Sequence, residues 1–116
     1  MNSTVIQSYI FPTLILLFFI YRFSRFKIIK KKLPELLNAG AIIVDVRSKD
    51  EFAFGHNPQS IYIPLNLLNQ ECSNLDKSKT IILCCASGTR SGMAFGILKK
   101  NGFKNILNAG AWNNTL

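Results

Sequence analysis

Acidic residues are scarce in this sequence. Six Asp and Glu stand against fourteen Lys and Arg, and none occurs before Glu35. Histidine occurs once, as His56, and cysteine three times, as Cys72, Cys84 and Cys85. An odd count with two adjacent cysteines is no disulfide framework, because neighbouring cysteines reach disulfide geometry only under strain. A reducing compartment is the simpler reading. There is no internal repeat and no low-complexity tract, and 116 residues suffice for one small domain and no more.

The positive surplus is local. Six basic residues lie between Arg22 and Lys32, whereas from Leu33 onward eight basic residues face six acidic ones. The formal charge of +8 therefore describes a basic collar and not a nucleic-acid-binding surface. No nucleic-acid partner is expected.

No charged residue precedes Arg22, and Val5 to Tyr21 is almost wholly apolar. At 1.5 Å per residue this run spans about 25 Å, slightly short of the usual ~30 Å hydrocarbon core. Snorkelling by Arg22 and Arg25 covers the difference, and Tyr9 and Tyr21 suit the two interfaces. A secretory signal would carry positive charge before the run and small residues after it, which is the reverse of the order here. Apolar residues cover every face, so a single-pass membrane anchor is expected over residues 1–25. The basic flank follows it, so the positive-inside rule places the rest of the chain in the cytoplasm. Residues 26–32, where Phe26, Ile28 and Ile29 alternate with lysines, suit a juxtamembrane stretch against anionic lipid or an ordinary stop-transfer flank.

Residues 33–116 read as the folded domain. Pro34 opens a short helix to Asn38, closed by Gly40. Ala41 to Asp45 is a buried strand, and Ser48-Lys49-Asp50-Glu51 is a capping box that starts a one-turn helix ending near Gly55. A second strand, Ile61 to Ile63, stops at Pro64. A helical stripe runs from Leu65 to Leu75, and a third strand covers Thr80 to Cys84. A helix from Met93 to Lys100 turns Met93, Ala94, Ile97 and Leu98 inward and is capped at Gly102. Phe103 to Leu107 returns as a fourth strand, and residues 108–112 close the chain as a loop. Strands alternating with helices about every twenty residues predict an α/β fold, a mainly parallel sheet with helices on both faces. In such sheets the site lies beyond the carboxyl ends of the strands.

The stretch Cys84-Cys85-Ala86-Ser87-Gly88-Thr89-Arg90-Ser91-Gly92 stands at such an end. A strand, a loop of small residues and a helix start form a cradle for an anion, because loop and first-turn amides lack internal partners. A thiol at its mouth is held as thiolate, and Arg90 adds fixed positive charge. Either cysteine could serve at this point. His56 has no cysteine or acidic neighbour in sequence, and no metal or cofactor is expected.

Four pieces, in order over Leu33 to Trp112, resemble the rhodanese family. They are Asp45-Val46-Arg47 with Glu51-Phe52, Gly55-His56-Asn57-Pro58 leading to Ile61-Tyr62-Ile63-Pro64, Cys85-Ala86-Ser87-Gly88-Thr89-Arg90-Ser91, and Asn108-Ala109-Gly110-Ala111-Trp112. The departures are Asn57 for the usual Ile, Gln59-Ser60 for Gly-Ala, and Ala111 for a second Gly, which touch loop packing more than chemistry. The resemblance implies a rhodanese-like domain with Cys85 as catalytic nucleophile. Arg90, Ala86, Ser87, Gly88 and Thr89 would bind substrate, and Asp45, Arg47 and His56 would be structural near the site, with Asp45 pairing either Arg90 or Arg47. The activity implied is transfer of sulfane sulfur from a small anionic donor such as thiosulfate to a thiol or protein acceptor through a persulfide. Counted from Cys84 the stretch also fits Cys-x5-Arg, the spacing of cysteine-dependent phosphatases. Only the count from Cys85 puts Gly88 where the rhodanese pattern has it. A non-catalytic rhodanese module docking a partner protein is the other alternative. Such a module would lack the cysteine or the arginine, and both are present.

Overall fold

The computed structural model describes residues 3–116. Its first element, α1 (Ser3–Asn38), is one unbroken helix of 36 residues, about 54 Å long. The separate short helix expected at Pro34–Asn38 does not exist. Pro34 lies inside α1 on its solvent side, where the missing amide donor leaves no buried group unpaired. What carries the helix through is a stripe at helical spacing. Arg22 and Phe26 are half-buried, Ile29 and Leu33 are buried, and Leu36 and Leu37 pack behind them. The apolar side of residues 26–32 is thus taken by the sheet. Val5 to Tyr21 is exposed throughout, and the 18-residue window that qualifies α1 as a candidate span is 0% buried.

Gly40 (φ +95) ends α1 by letting Ala41 N–H reach Leu36 O at 2.9 Å, and β1 (Ile42–Asp45) follows. The expected capping box starts α2 (Lys49–Phe54): Ser48 Oγ accepts from Glu51 N, and Glu51 Oε1 accepts from Ser48 N. Then come β2 (Ile61–Tyr62), α3 (Leu65–Glu71) with a 3-10 turn at Cys72–Asn74, β3 (Ile81–Cys85), α4 (Thr89–Lys100), β4 (Ile106–Ala111) and a 3-10 turn at Trp112–Thr115. The strands form one parallel sheet in the order β2-β1-β3-β4.

Alternation along β3 divides the core. Ile81, Leu83 and Cys85 face α3 and α4 with Val44, Leu68, Ala94 and Leu98, whereas Ile82 and Cys84 face α1 with Ile43, Ile29, Leu33 and Ala109. Helices therefore cover both faces, and the C-terminal half of α1 covers the second one together with Trp112 of the final turn. Cys72 is core.

Several boundaries differ from expectation, most by a residue, as in β3, which runs Ile81–Cys85 and not Thr80 to Cys84. α4 starts at Thr89, so its inward face is Ser91, Ala94 and Leu98, while Met93 is exposed. Strand β4 begins later and runs to Ala111, so the expected closing loop is largely strand; Phe103 instead packs into the core after Gly102. A bulge at Ala109 pairs Leu83 with Asn108 but Cys84 with Gly110. Asn57, which replaces the usual Ile, is buried and donates to Thr115 O at 2.8 Å, tying its loop to the final turn.

Candidate active site

The carboxyl ends of β1, β3 and β4 meet at one rim. Cys85 is the last residue of β3, and the chain then turns through exposed Ala86 and Ser87 into Gly88, the residue before α4. Gly88 has φ +103, which a side-chain-bearing residue reaches only at a cost of about 1 kcal/mol. That conformation turns its amide inward, and Gly88 N–H donates to Cys85 Sγ at 2.9 Å. Ser91 Oγ, in the first turn of α4, stands 3.4 Å from the same sulfur.

Burial pushes the Cys85 thiol up. The Ser91 hydroxyl and the amides of Ser91, Gly88 and Ser87 outweigh that and hold it below its ordinary value. The positive end of α4 acts in the same sense. Cys84 has no such support. It packs on the other face of the sheet, and burial first, then the Asp45 carboxylate, push its thiol up. The loop closes on Cys85 and turns its back on Cys84.

Arg90 points to α2. Its two terminal nitrogens reach Glu51 Oε1 at 2.5 Å and Oε2 at 2.9 Å, pinning α4 to α2. This hydrogen-bonded pair holds the Glu51 carboxyl down to about 2 and raises Arg90. Both side chains remain about a third exposed, so the guanidinium can still meet solute. Thr89 is exposed at the same rim.

Asp45 pairs with Arg47, not Arg90. Its carboxylate accepts from Arg47 Nε and Nη2 at 2.8–3.0 Å and from the Arg47 amide at 3.1 Å. Arg47 also donates to Gly55 O at 2.6 Å and lies 4.8 Å over the Trp112 ring. The pair is buried and fully partnered, and it clamps three segments beneath the rim. His56 is exposed; its Nδ1–H donates to Phe52 O at 2.7 Å, and its ring stacks on Phe52. No group of three or more His, Cys, Asp or Glu able to hold a metal occurs among the described residues.

Sequence reasoning missed four residues of this rim. Glu51 stands in the capping box and in the first family-like piece, but neither marks it as the partner of Arg90. Asn108 accepts from Ser91 Oγ at 2.6 Å and from Gly110 N at 2.9 Å, and donates to Gly88 O at 3.3 Å, tying β4 to the loop. Its place opening the Asn108–Trp112 segment was the available signal. Phe26 and Arg22 of α1 also reach the loop. A Cβ on Gly88 would stand 3.1 Å from Phe26 Cζ and 3.3 Å from Arg22 Nη2, and one on Gly110 would stand 2.9 Å from Phe26 Cε2. Nothing in their local sequence marked them.

Known proteins resemble this chain in sequence and fold. A model of the Rhodanese-like domain matches residues 30–114. Over 66 residues the chain is 38% identical to YrkF of Bacillus subtilis, named as a candidate sulfur carrier protein; the match covers 57% of this chain and 36% of that one. Over 67 residues it is 31% identical to a sulfurtransferase of Allochromatium vinosum, covering 58% of this chain and 63% of the other. The chain thus spans less than two thirds of either relative. The crystal structure of a rhodanese-related protein from Thermoplasma volcanium superposes with a TM-score of 0.65 at 31% identity, covering 74% of this chain and 85% of that one. With the cysteine loop at the carboxyl rim of a parallel sheet and 85 of its residues matched by the family model, the chain belongs to the rhodanese-like family.

Proposed function

We propose that this protein is a membrane-tethered sulfurtransferase working through a persulfide on Cys85. The observation that carries the reading is the sulfur itself: Cys85 Sγ is buried, receives the Gly88 amide at 2.9 Å, and is held below its ordinary pKa. Holding the thiol below its ordinary value favours the thiolate, and a thiolate needs no general base. The Cys85 thiolate attacks the outer sulfur of thiosulfate; an S–S bond forms to Cys85, the donor's S–S bond breaks, and sulfite leaves with the electron pair. The persulfide's outer sulfur bears the negative charge within reach of the loop amides. A second nucleophile (cyanide, a thiol or a protein cysteine) then takes that sulfur and releases the Cys85 thiolate.

Ala86, Ser87, Gly88 and Thr89 form the anion cradle in this scheme. The Arg90 charge is offset by Glu51 while the pair holds, but its guanidinium is a third exposed and can meet the donor anion, and Asp45, Arg47 and His56 keep the rim in shape. The apolar run Val5 to Tyr21 is the anchor, and the basic collar after it sets the domain on the cytoplasmic side.

The test is to incubate the full chain in detergent micelles with thiosulfate and weigh it. The expected adduct is one sulfur atom, lost in Cys85→Ser and kept in Cys84→Ser. An unmodified wild-type chain would favour the docking module. Hydrolysis of an aryl phosphate that needs Cys84 would replace the proposal outright.

A further inference from the structure

A cleft of about 390 Å³ opens between α1 and the β4–α4 side of the domain, within the size range of small-molecule sites. Its walls change character along the helix. Phe18 belongs to the apolar run, Tyr21 follows, and Arg22 and Arg25 come next; Phe95 of α4 and Ile106 of β4 stand opposite. Neither arginine has an acidic partner. The ion pairs among the described residues are Arg47–Asp45 and Arg90–Glu51. Arg25 reaches the Tyr21 hydroxyl at 3.4 Å, and Arg22, half-buried, lies over the Phe26 ring.

Two guanidinium groups without a counter-charge, one of them partly desolvated, call for an anion. A free anion would leave Phe18, which is exposed, and the half-buried Phe95 facing water. A ligand with a phosphate at one end and a hydrocarbon chain at the other satisfies both halves. We propose that this cleft seats one anionic phospholipid, its phosphate between Arg22 and Arg25 and an acyl chain along Phe18 and Phe95. The proposal rests on the reading of Val5 to Tyr21 as a membrane anchor, since only there does lipid meet the cleft's apolar end. It goes beyond general attraction of a basic collar to a charged surface, because it assigns the headgroup to two of the six basic residues.

The test uses the full chain in nanodiscs of phosphatidylcholine with a minority of phosphatidylglycerol, then native mass spectrometry of the lipid retained. Wild type is expected to keep one phosphatidylglycerol in preference to phosphatidylcholine. Arg22→Gln with Arg25→Gln should weaken that retention about tenfold or more. Lys31→Gln with Lys32→Gln removes equal charge from exposed positions and should leave it unchanged. Phe95→Glu, which keeps both arginines but sets a carboxylate opposite them, should also displace the lipid, and soluble glycerol phosphate should not compete. Equal loss in the lysine variant, or no headgroup preference in wild type, overturns the cleft as a site. Alkaline extraction separates the two readings. A chain that washes off membranes sinks the anchor and the lipid site together, whereas one that stays but shows no headgroup preference sinks the lipid site alone.

Discussion

Ser91 Oγ stands 2.6 Å from Asn108 Oδ1 and 3.4 Å from Cys85 Sγ, with one proton to share between them. While the thiol is neutral, S–H can donate to Ser91 and Ser91 to Asn108. Once the sulfur is ionised, the hydroxyl proton is better spent on it, and Asn108 Oδ1 keeps the Gly110 amide at 2.9 Å. Ser91→Ala is therefore expected to shift Cys85 towards its ordinary thiol range. Alkylation by iodoacetamide at neutral pH should slow by about tenfold or more, the worth of one hydrogen bond to a charged group. The pH profile of alkylation checks it; an unmoved midpoint would mean that Ser91 serves Asn108 in both states.

The Arg90–Glu51 pair predicts a pH-dependent term in stability. Glu51 titrates at about 2 in the fold against an ordinary 4.5, so it stabilises the folded state above about pH 4.5. That contribution fades as pH falls from 4.5 towards 2. Urea midpoints of wild type and Glu51→Gln should differ slightly at pH 6, since the pair is a third exposed, and converge near pH 2.

The same substitution frees the guanidinium. If Arg90 meets the donor anion, Glu51→Gln should lower the KM for thiosulfate about two- to fivefold, and Arg90→Gln should raise it by a similar factor. A KM unmoved by both would confine Arg90 to holding α4 against α2.

Asp45→Asn leaves the Arg47 guanidinium buried without its counter-charge, at a cost of about 3–5 kcal/mol. Replacing both, as Asp45→Asn with Arg47→Met, should cost less than the sum of the single losses. Denaturant unfolding of the four chains measures that coupling.

Gly110 (φ +77) leaves no room for a side chain, because a Cβ there would meet the Phe26 ring at 2.9–3.0 Å. Gly110→Ala should destabilise by a few kcal/mol. Adding Phe26→Ala should recover the steric part, while the backbone strain of about 1 kcal/mol remains. Thermal unfolding of the single and double variants decides between the two contributions.

Most of the domain was legible because its signals are local. The capping box at Ser48, the loop from Cys85 to Ser91 and the alternation of strands with helices all follow from neighbours in sequence. What α1 does was harder to see. Pro34 breaks helices in most settings, so it hid a continuous stripe from Arg22 to Leu37 whose partner, the face of Ile43, Ile82 and Cys84, lies elsewhere in the chain. The Asp45–Arg47 pairing was open to two readings because both arginines reach the same rim. The role of Asn108 was hard to read for another reason: its segment stood out, but the bulge at Ala109, which resets pairing with β3, is a property of two strands and not of one.

Under the proposed membrane anchoring, the unbroken α1 also sets where Cys85 would react. A flexible tether would let Cys85 sweep a volume set by linker length, but here the residues that touch Gly88, Arg22 and Phe26, follow Tyr21 within about 8 Å of helix rise. With the apolar run in a bilayer, the sulfur is held at one height and one tilt. Its search for a partner becomes planar: a carrier that itself rides the membrane meets the loop at a concentration set by surface density, while a partner from bulk solution has to come down to headgroup depth.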